Sequence, residues 1–195
     1  MLASITPLGE RARGNRWTTT AVLFIAASIT AGAAVGAMLG LLGSLILAHV
    51  GIGWRLGLLA AALALGVVWE LRRGTVPGPR RQVNERWLDH YRRWIYASGF
   101  GAQLGVGVVT IVVTSAVYGV WAAALASAHP AAGAVIGAAA GAMRGATLLA
   151  GARTTTPQQL VRLHEFLSSI QRPVRRCTLT AQLALVGAAA VVLVV

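Results

Sequence analysis

Apolar residues come in long runs along this chain, and short polar stretches rich in arginine separate the runs. A helix needs about 20 residues to cross the hydrocarbon core of a bilayer, and each run comes close to that length or exceeds it. We therefore predict an all-α polytopic membrane protein with five transmembrane helices. The apolar runs cover approximately residues 17–49, 51–71, 94–127, 130–150 and 178–195.

The first and third runs are longer than one straight crossing requires. We expect the first helix to begin at Trp17, to end near His49, and to tilt or bend at its glycines. The third helix is predicted to cover about Trp94 to Ser127, which is again too long for a straight crossing. Short, nearly uncharged turns then join each of these long helices to the helix that follows it.

Amphipathic helices are predicted in two of the polar stretches. In residues 83–95, apolar and aromatic side chains recur at helical spacing and charged ones occupy the opposite face, which is typical of a helix at the membrane surface. The second amphipathic helix begins with a capping box at residues 156–159 and has a stripe of leucines. We expect Pro173 to end it, because proline interrupts a helix interior.

A shift of 80 residues superposes similar stretches of sequence and indicates an internal repeat. It brings Thr30 onto Thr110, and His49 onto His129. Each copy would contain a helix hairpin followed by a cytoplasmic amphipathic helix, although segments rich in alanine and glycine also align by chance. The predicted organisation is one membrane domain with a cytoplasmic tail, two tandem repeats and a fifth, C-terminal span, in residues 1–16, 17–96, 97–176 and 177–195.

The composition indicates that lipid is the solvent of most of the chain. Hydrophobic residues make up 56% and charged residues 11%, and the mean hydropathy is +0.70. The net charge of +12 would suit a nucleic acid. However, the arginines are concentrated in the N-terminus and in alternate connections, which is the positive-inside pattern of membrane proteins.

This charge pattern predicts the orientation and the partners. We expect a multi-pass protein with its N-terminus inside and its C-terminus outside, with anionic lipid headgroups at its cytoplasmic face and no nucleic acid partner. The chain has 17 arginines and no lysine, a bias that is common in proteins from GC-rich genomes. We therefore expect the bacterial cytoplasmic (inner) membrane.

Glycines at every fourth position form a stripe on two of the predicted helices. Stripes of this kind let helix backbones approach closely. We expect them to pack helices of this chain together or, alternatively, to mediate homo-oligomer formation or docking to another membrane protein. The glycines concerned are Gly32, Gly36 and Gly40 in the first helix and Gly133, Gly137, Gly141 and Gly145 in the fourth.

Arg144 is a charged residue within the fourth apolar run. A charge inside a membrane span is costly and is a candidate functional residue by default. Its guanidinium could bind an anion or a headgroup, or the long side chain could simply reach the phosphate layer. Arg144 follows Pro130 by 14 residues. That is roughly 21 Å along a helix, a depth that fits both interpretations.

Uncharged polar side chains are few within the predicted spans. Four of them are candidates for lining the path of a solute: Thr30, Gln103, Thr110 and Gln182. The same groups could instead bond their own backbone or a neighbouring helix, as hydroxyls and amides in membrane helices commonly do.

The sequence contains no G-x-S-x-G, H-E-x-x-H or P-loop motif. We expect no enzymatic activity and no cofactor. Cys177 is the single cysteine, which excludes an intrachain disulfide. His49 and His129 are weak candidates for a metal site, since no acidic residue or cysteine is predicted on their side of the membrane. All five acidic residues fall in or beside predicted cytoplasmic segments, so proton coupling through a buried carboxylate is not expected.

Two functions remain. The first is a small-solute or anion transporter or channel in which Arg144 attracts the solute. The second is a non-catalytic accessory or assembly subunit that docks to a larger membrane complex through the glycine stripes.

Overall fold

The computed structural model describes residues 5–74, 76–78, 91–107 and 114–194, and for residues 192–194 it describes the backbone only. Within these ranges all regular secondary structure is helical, which confirms the predicted all-α class. The elements are α1 (Pro7–Ala12), α2 (Trp17–Ile46), α3 (Ile52–Arg73), α4 (Arg93–Val106), α5 (Ala116–Ala126), α6 (Pro130–Ala146), a 3-10 helix (Thr147–Gly151) and α7 (Pro157–Val194).

Three of the described helices are long and apolar enough to cross a membrane: α2, α3, and α6 together with the 3-10 helix that continues it. Large apolar side chains cover their outer surfaces; Leu45 is 73% exposed, Leu65 70% and Val135 69%. A water-soluble protein rarely exposes so much apolar surface, so the membrane-embedded character is confirmed. The third and fifth predicted spans, which involve α4, α5 and α7, remain predictions.

Helices α2 and α6 form the centre of the bundle and pack through their glycines. Gly32 lies against Gly137, and Gly36 lies against Gly133. The pairing runs in opposite directions along the two helices, so they are antiparallel. Ser28 adds a hydrogen bond between them, because its hydroxyl donates to the carbonyl oxygen of Gly141 over 2.8 Å.

The third apolar run does not form one continuous helix. Helix α4 ends at Val106. The residue that follows, Gly107, has a φ of +82° in the left-handed region, and α5 begins only at Ala116. A left-handed residue cannot continue a right-handed helix, and glycine adopts this conformation without the steric cost of a Cβ atom. Valine and glycine around the break are as apolar as the rest of the run, so hydropathy gave no sign of it.

The expectation that Pro173 ends a helix is wrong. Helix α7 continues through it from Pro157 to Val194. Proline removes one backbone hydrogen bond of a helix but does not forbid the helical backbone angles. Beyond it, Arg175 bonds to Glu70 and holds the second half of α7 against α3. The predicted capping box at the start of α7 is confirmed. The backbone N–H of Gln159 donates to the hydroxyl of Thr156, and the backbone N–H of Thr156 donates to the side-chain oxygen of Gln159.

Residues 1–16 were expected to form a cytoplasmic tail. Their described part is folded onto the bundle: Ile5 is fully buried in the apolar cluster that includes Phe24 and Phe100, and the amide of Leu8 donates to the carbonyl of Thr154. The predicted amphipathic helix at residues 83–95 falls largely on residues 79–90, which lie outside the described residues. The tandem repeat remains a prediction.

Candidate functional site at an interrupted helix

The interruption between α4 and α5 lies beside the middle of α2. Gly105, close to the end of α4, contacts Ser28 of α2. Leu125, close to the end of α5, contacts Gly43 of α2. Both helices therefore run in the same direction as α2, and the gap between them falls opposite its central part. Residues 108–113, which connect them, lie outside the described residues.

Arg144 of α6 lies at the C-terminal end of α4. Its Nη1 donates to the carbonyl oxygen of Leu104 over 3.4 Å. A Cβ atom added to Gly107 would collide with the guanidinium, so the absence of a side chain there makes room for the arginine. The last carbonyls of a helix carry partial negative charge, and a cation beside them is favourable.

Glu70 of α3 lies at the N-terminal end of α5. One of its oxygens, Oε2, accepts from the backbone N–H of Ser115 at 2.8 Å, from the hydroxyl of Ser115 at 2.9 Å and from the hydroxyl of Thr114 at 3.2 Å. The first amides of a helix carry partial positive charge and lack partners within the helix. The carboxylate therefore caps α5, as Arg144 caps α4.

Helix α7 completes the polar cluster around Glu70. Arg175 Nε lies 3.0 Å from Glu70 Oε1, and a terminal nitrogen of Arg175 donates to the Glu70 backbone carbonyl over 2.8 Å. Gln182 is only 4% exposed, and its amide oxygen is 3.2 Å from the hydroxyl of Ser115. Among the described residues its Nε2 has no hydrogen-bond partner.

The single hydroxyl hydrogen of Ser115 cannot serve both neighbours. It lies within reach of the Glu70 carboxylate and of the Gln182 amide. A hydroxyl donates one hydrogen bond, and a carboxylate is the stronger acceptor. Gln182 can then turn its nitrogen toward Ser115, which leaves the amide oxygen without a partner among the described residues. In either orientation, therefore, one polar end of this buried amide has no partner in the described part of the chain.

The two ends of the interruption differ in net charge. The charge of Glu70 is matched by Arg175 and by the start of α5. In the described part of the chain no carboxylate pairs with Arg144, and its guanidinium donates a hydrogen bond to a backbone carbonyl. The end of the gap near α4 is therefore a half-buried, uncompensated cationic site within the bundle.

A second buried carboxylate lies near the start of α2. Glu10 is fully buried and accepts hydrogen bonds from the hydroxyls of Thr20 and Tyr96, at 2.7 and 2.8 Å for Oε2. Arg13 forms an ion pair with it at 2.7 Å. Burial alone would lower the pKa of Arg13, but the hydrogen bond to Glu10 and its negative charge outweigh burial and raise that pKa. The cluster fixes the N-terminal segment to α2 and α4.

Sequence reasoning missed the burial of these two carboxylates. Glu10 and Glu70 are 0% and 1% exposed. Each accepts a hydrogen bond from a residue far away in the sequence, Glu10 from Tyr96 and Glu70 from Ser115, which are 86 and 45 residues away. No local pattern announces such a partner. The available signal was the position of Glu70 inside the second apolar run, which is the same signal that drew attention to Arg144.

The remaining predicted site residues are dispersed. Thr30 is exposed on α2, and its hydroxyl donates to the carbonyl of Ala27. Gln103 is half-buried in α4, while Thr110 lies outside the described residues. His49 and His129 are both exposed at the turns at the far end of the bundle, and the described residues contain no cluster of three or more metal-ligating side chains. Of the predicted set, Arg144 and Gln182 border the interruption.

A cleft of about 530 Å³ adjoins the cluster around Glu70. It lies mainly between α3, α5 and α7, with Ile136 of α6 also in its wall, and its lining is almost entirely apolar except for Thr178 and Gln182 of α7. Leu63 of α3 and Gly119 of α5 are among the lining residues. The interruption thus has a charged side at Arg144 and an apolar side at this cleft.

Comparison with known proteins finds no family model that matches the chain, no similar protein among the curated sequences and no similar solved structure. The geometry of the interruption and of its neighbours is therefore what points to a function.

Proposed function

We propose that this protein is a small membrane transporter or channel for an anion, with Arg144 as the residue that attracts and holds the solute. The observation that carries the proposal is the helix interruption beside the middle of α2, with Arg144 at one of its ends. Discontinuous helices at mid-membrane form the solute sites of many secondary transporters, because they expose polar backbone groups inside the bundle.

The charges favour an anion over a cation. The guanidinium of Arg144 has five N–H donors in total, and one hydrogen bond, to Leu104, is formed by the described residues. Its positive charge has no carboxylate partner there. An uncompensated charge at this depth is costly, and a bound anion would reduce that cost. Glu70 offers no equivalent site for a cation, because Arg175 already pairs with it.

The alternative, an accessory subunit that docks through its glycine stripes, has less support. Gly36 and Gly137, taken as representatives of the two stripes, are buried against the opposite helix of the same chain. A partner protein could reach them only if α2 and α6 separated. A docking function would have to use another surface.

The proposal includes the membrane orientation. The N-terminal segment, the start of α4 and the connection at Thr154 meet at one end of the bundle, through the contacts of Glu10 with Tyr96 and of Leu8 with Thr154. The turns at residues 47–51 and 127–129 lie at the other end. We infer that the first end, which is next to most arginines, faces the cytosol of a bacterial cell.

Anion flux into proteoliposomes tests this function. The purified full-length chain is expected to conduct or exchange small anions such as chloride, nitrate or inorganic phosphate, and Arg144→Gln is expected to lower the rate at least tenfold. Arg144→Lys keeps the charge and is expected to retain part of the rate. A fully active Arg144→Gln variant would contradict the assigned site, and absence of anion flux in the unmodified protein would contradict the function itself.

Arg55→Gln is a matched control. Arg55 also bonds backbone carbonyls at a helix end, those of Leu47 and Val50, but it does so at the turn after α2, far from the interruption. If the two glutamine variants lost flux and thermal stability equally, the effect at Arg144 would reflect loss of helix capping and not loss of a solute site.

A further inference from the structure

The apolar cleft beside the interruption opens toward the side of the bundle. Leucines of α3 form one wall, and residues of the second half of α7 form the facing wall. Leu185, on the α7 wall, is 59% exposed, so the cleft is open at that edge. The cleft lies along α3, one of the helices long and apolar enough to span a membrane. In a bilayer its open edge therefore meets acyl chains and not water.

The cleft is too small to enclose a helix. A helix about 10 Å wide with a rise of about 1.5 Å per residue fills roughly 120 Å³ per residue. The cleft of about 530 Å³ would hold only about four such residues, far fewer than the ~20 of a membrane span. A single hydrocarbon chain is narrow enough to enter, and pockets of this volume commonly hold small ligands.

Two polar side chains stand in the wall, and one of them, Thr178, donates its hydroxyl to the backbone carbonyl of Val174, so the other, Gln182, indicates the head group of the ligand. Gln182 is 4% exposed, and one end of its amide has no partner among the described residues. A buried polar group without a partner is costly and is rare in folded proteins. Because the amide can present either its nitrogen or its oxygen, a head group that both donates and accepts a hydrogen bond satisfies both orientations. Hydroxyl and protonated carboxyl groups do this.

We propose that the cleft binds a single-chain amphiphile drawn from the bilayer, with its hydrocarbon chain between α3, α5 and α7 and its hydroxyl or carboxyl group at Gln182. Long-chain alcohols and fatty acids belong to this class. The proposal is independent of anion transport, since Arg144 does not line the cleft. It also explains why the amide of Gln182 is held at the boundary between an apolar cleft and the polar cluster around Glu70.

Photoaffinity labelling of the full-length protein in phospholipid nanodiscs tests the proposal. The probes are a long-chain alcohol, a long-chain fatty acid and an alkane without a head group, each with a diazirine in its chain. Peptides of α3, α5 or α7 are expected to be labelled saturably by the alcohol or the acid. The excess over the alkane is expected to be about tenfold, the ratio that corresponds to about 1.4 kcal/mol for one hydrogen-bonded group.

Two neighbouring alanines of α7 provide a matched pair of variants. Ala189 lines the cleft, whereas Ala190 is exposed and does not. Ala189→Phe is expected to lower labelling by the alcohol about tenfold, and Ala190→Phe to leave it unchanged. Gln182→Leu should reduce labelling by the alcohol to the level of the alkane. Ala123→Phe fills the cleft from α5 and replaces Ala189→Phe if that variant does not fold.

Three results would overturn the proposal. The first is equal labelling of folded Ala189→Phe and Ala190→Phe. The second is labelling of the unmodified protein by the alkane that equals labelling by the alcohol and the acid. The third is an unlabelled cleft together with efficient cross-linking of two chains through Leu185→Cys in a Cys177→Ser background, which would identify a second copy as the occupant.

Discussion

The contact between α2 and α6 predicts a large effect for a small substitution, Gly36→Ala. A Cβ atom at Gly36 would lie 2.8 Å from the carbonyl carbon of Gly133 and 3.1 Å from the Cα atom of Gly137. Carbon atoms in contact are about 3.5–4.0 Å apart, so the helices would have to separate by about 1 Å at this point. The obstacle is backbone, which cannot rotate away as a side chain can.

Overpacking of this kind costs about 1–3 kcal/mol. For a chain of about this size, a loss of roughly 2 kcal/mol lowers the midpoint of thermal unfolding by about 4–8 °C. The midpoint can be measured by intrinsic tryptophan fluorescence in detergent micelles. Gly187→Ala is the control, because no atom lies within 4 Å of the position that its Cβ would take. It replaces glycine by a better helix former inside α7 and is expected to raise the midpoint slightly.

A midpoint for Gly36→Ala equal to that of the unmodified protein would refute the close contact between α2 and α6. So would an equal decrease for Gly187→Ala, because the effect would then not depend on helix contact. A decrease at Gly36 alone would support the packing on which the position of Arg144 depends, since Arg144 reaches α4 from α6.

Two further predictions concern the buried carboxylates. Glu70→Gln is expected to cost about 2 kcal/mol of stability, because the donors at Thr114 and Ser115 lose a charged acceptor. Arg175→Gln is expected to cost at least as much, because it leaves the Glu70 carboxylate, which is 1% exposed, without its ion-pair partner. An unchanged midpoint of thermal unfolding for Glu70→Gln would contradict the capping role of Glu70. Tyr96→Phe removes a hydrogen bond to the Glu10 carboxylate, worth about 2 kcal/mol, and is expected to accelerate trypsin cleavage after Arg11. An unchanged cleavage rate would mean that Tyr96 does not hold the N-terminal segment in place.

Much of the helical framework follows from local patterns. Runs of apolar residues located α2, α3 and α6, and the capping box at Thr156 located the start of α7. These features depend on neighbours within a few residues, such as the hydrogen bond between Thr156 and Gln159. They can therefore be inferred from the sequence without knowledge of the fold.

The polar sites depend on distant partners and could only partly be predicted. Arg144 and Gln182 were recognised as polar residues in apolar runs, but their neighbours Leu104 and Ser115 come from other helices. Glu70 was assigned to the border of a cytoplasmic segment because α3 ends close by, at Arg73. Its burial results from the contacts of α5 and α7 with α3. The break after Gly107 depends on a backbone angle that hydropathy does not record.

The glycines between α2 and α6 have a mechanical consequence. An interface made of backbone atoms contains almost no rotatable side chains, so it has no alternative packing arrangement with which to absorb a displacement. Helices α2 and α6 are therefore expected to move together as one rigid body. In the proposed transport cycle, rearrangement would therefore fall on the outer helices. Helix α7 packs mainly against α3, beside an open cleft, and contacts the rest of the bundle little, so it is the element best able to move.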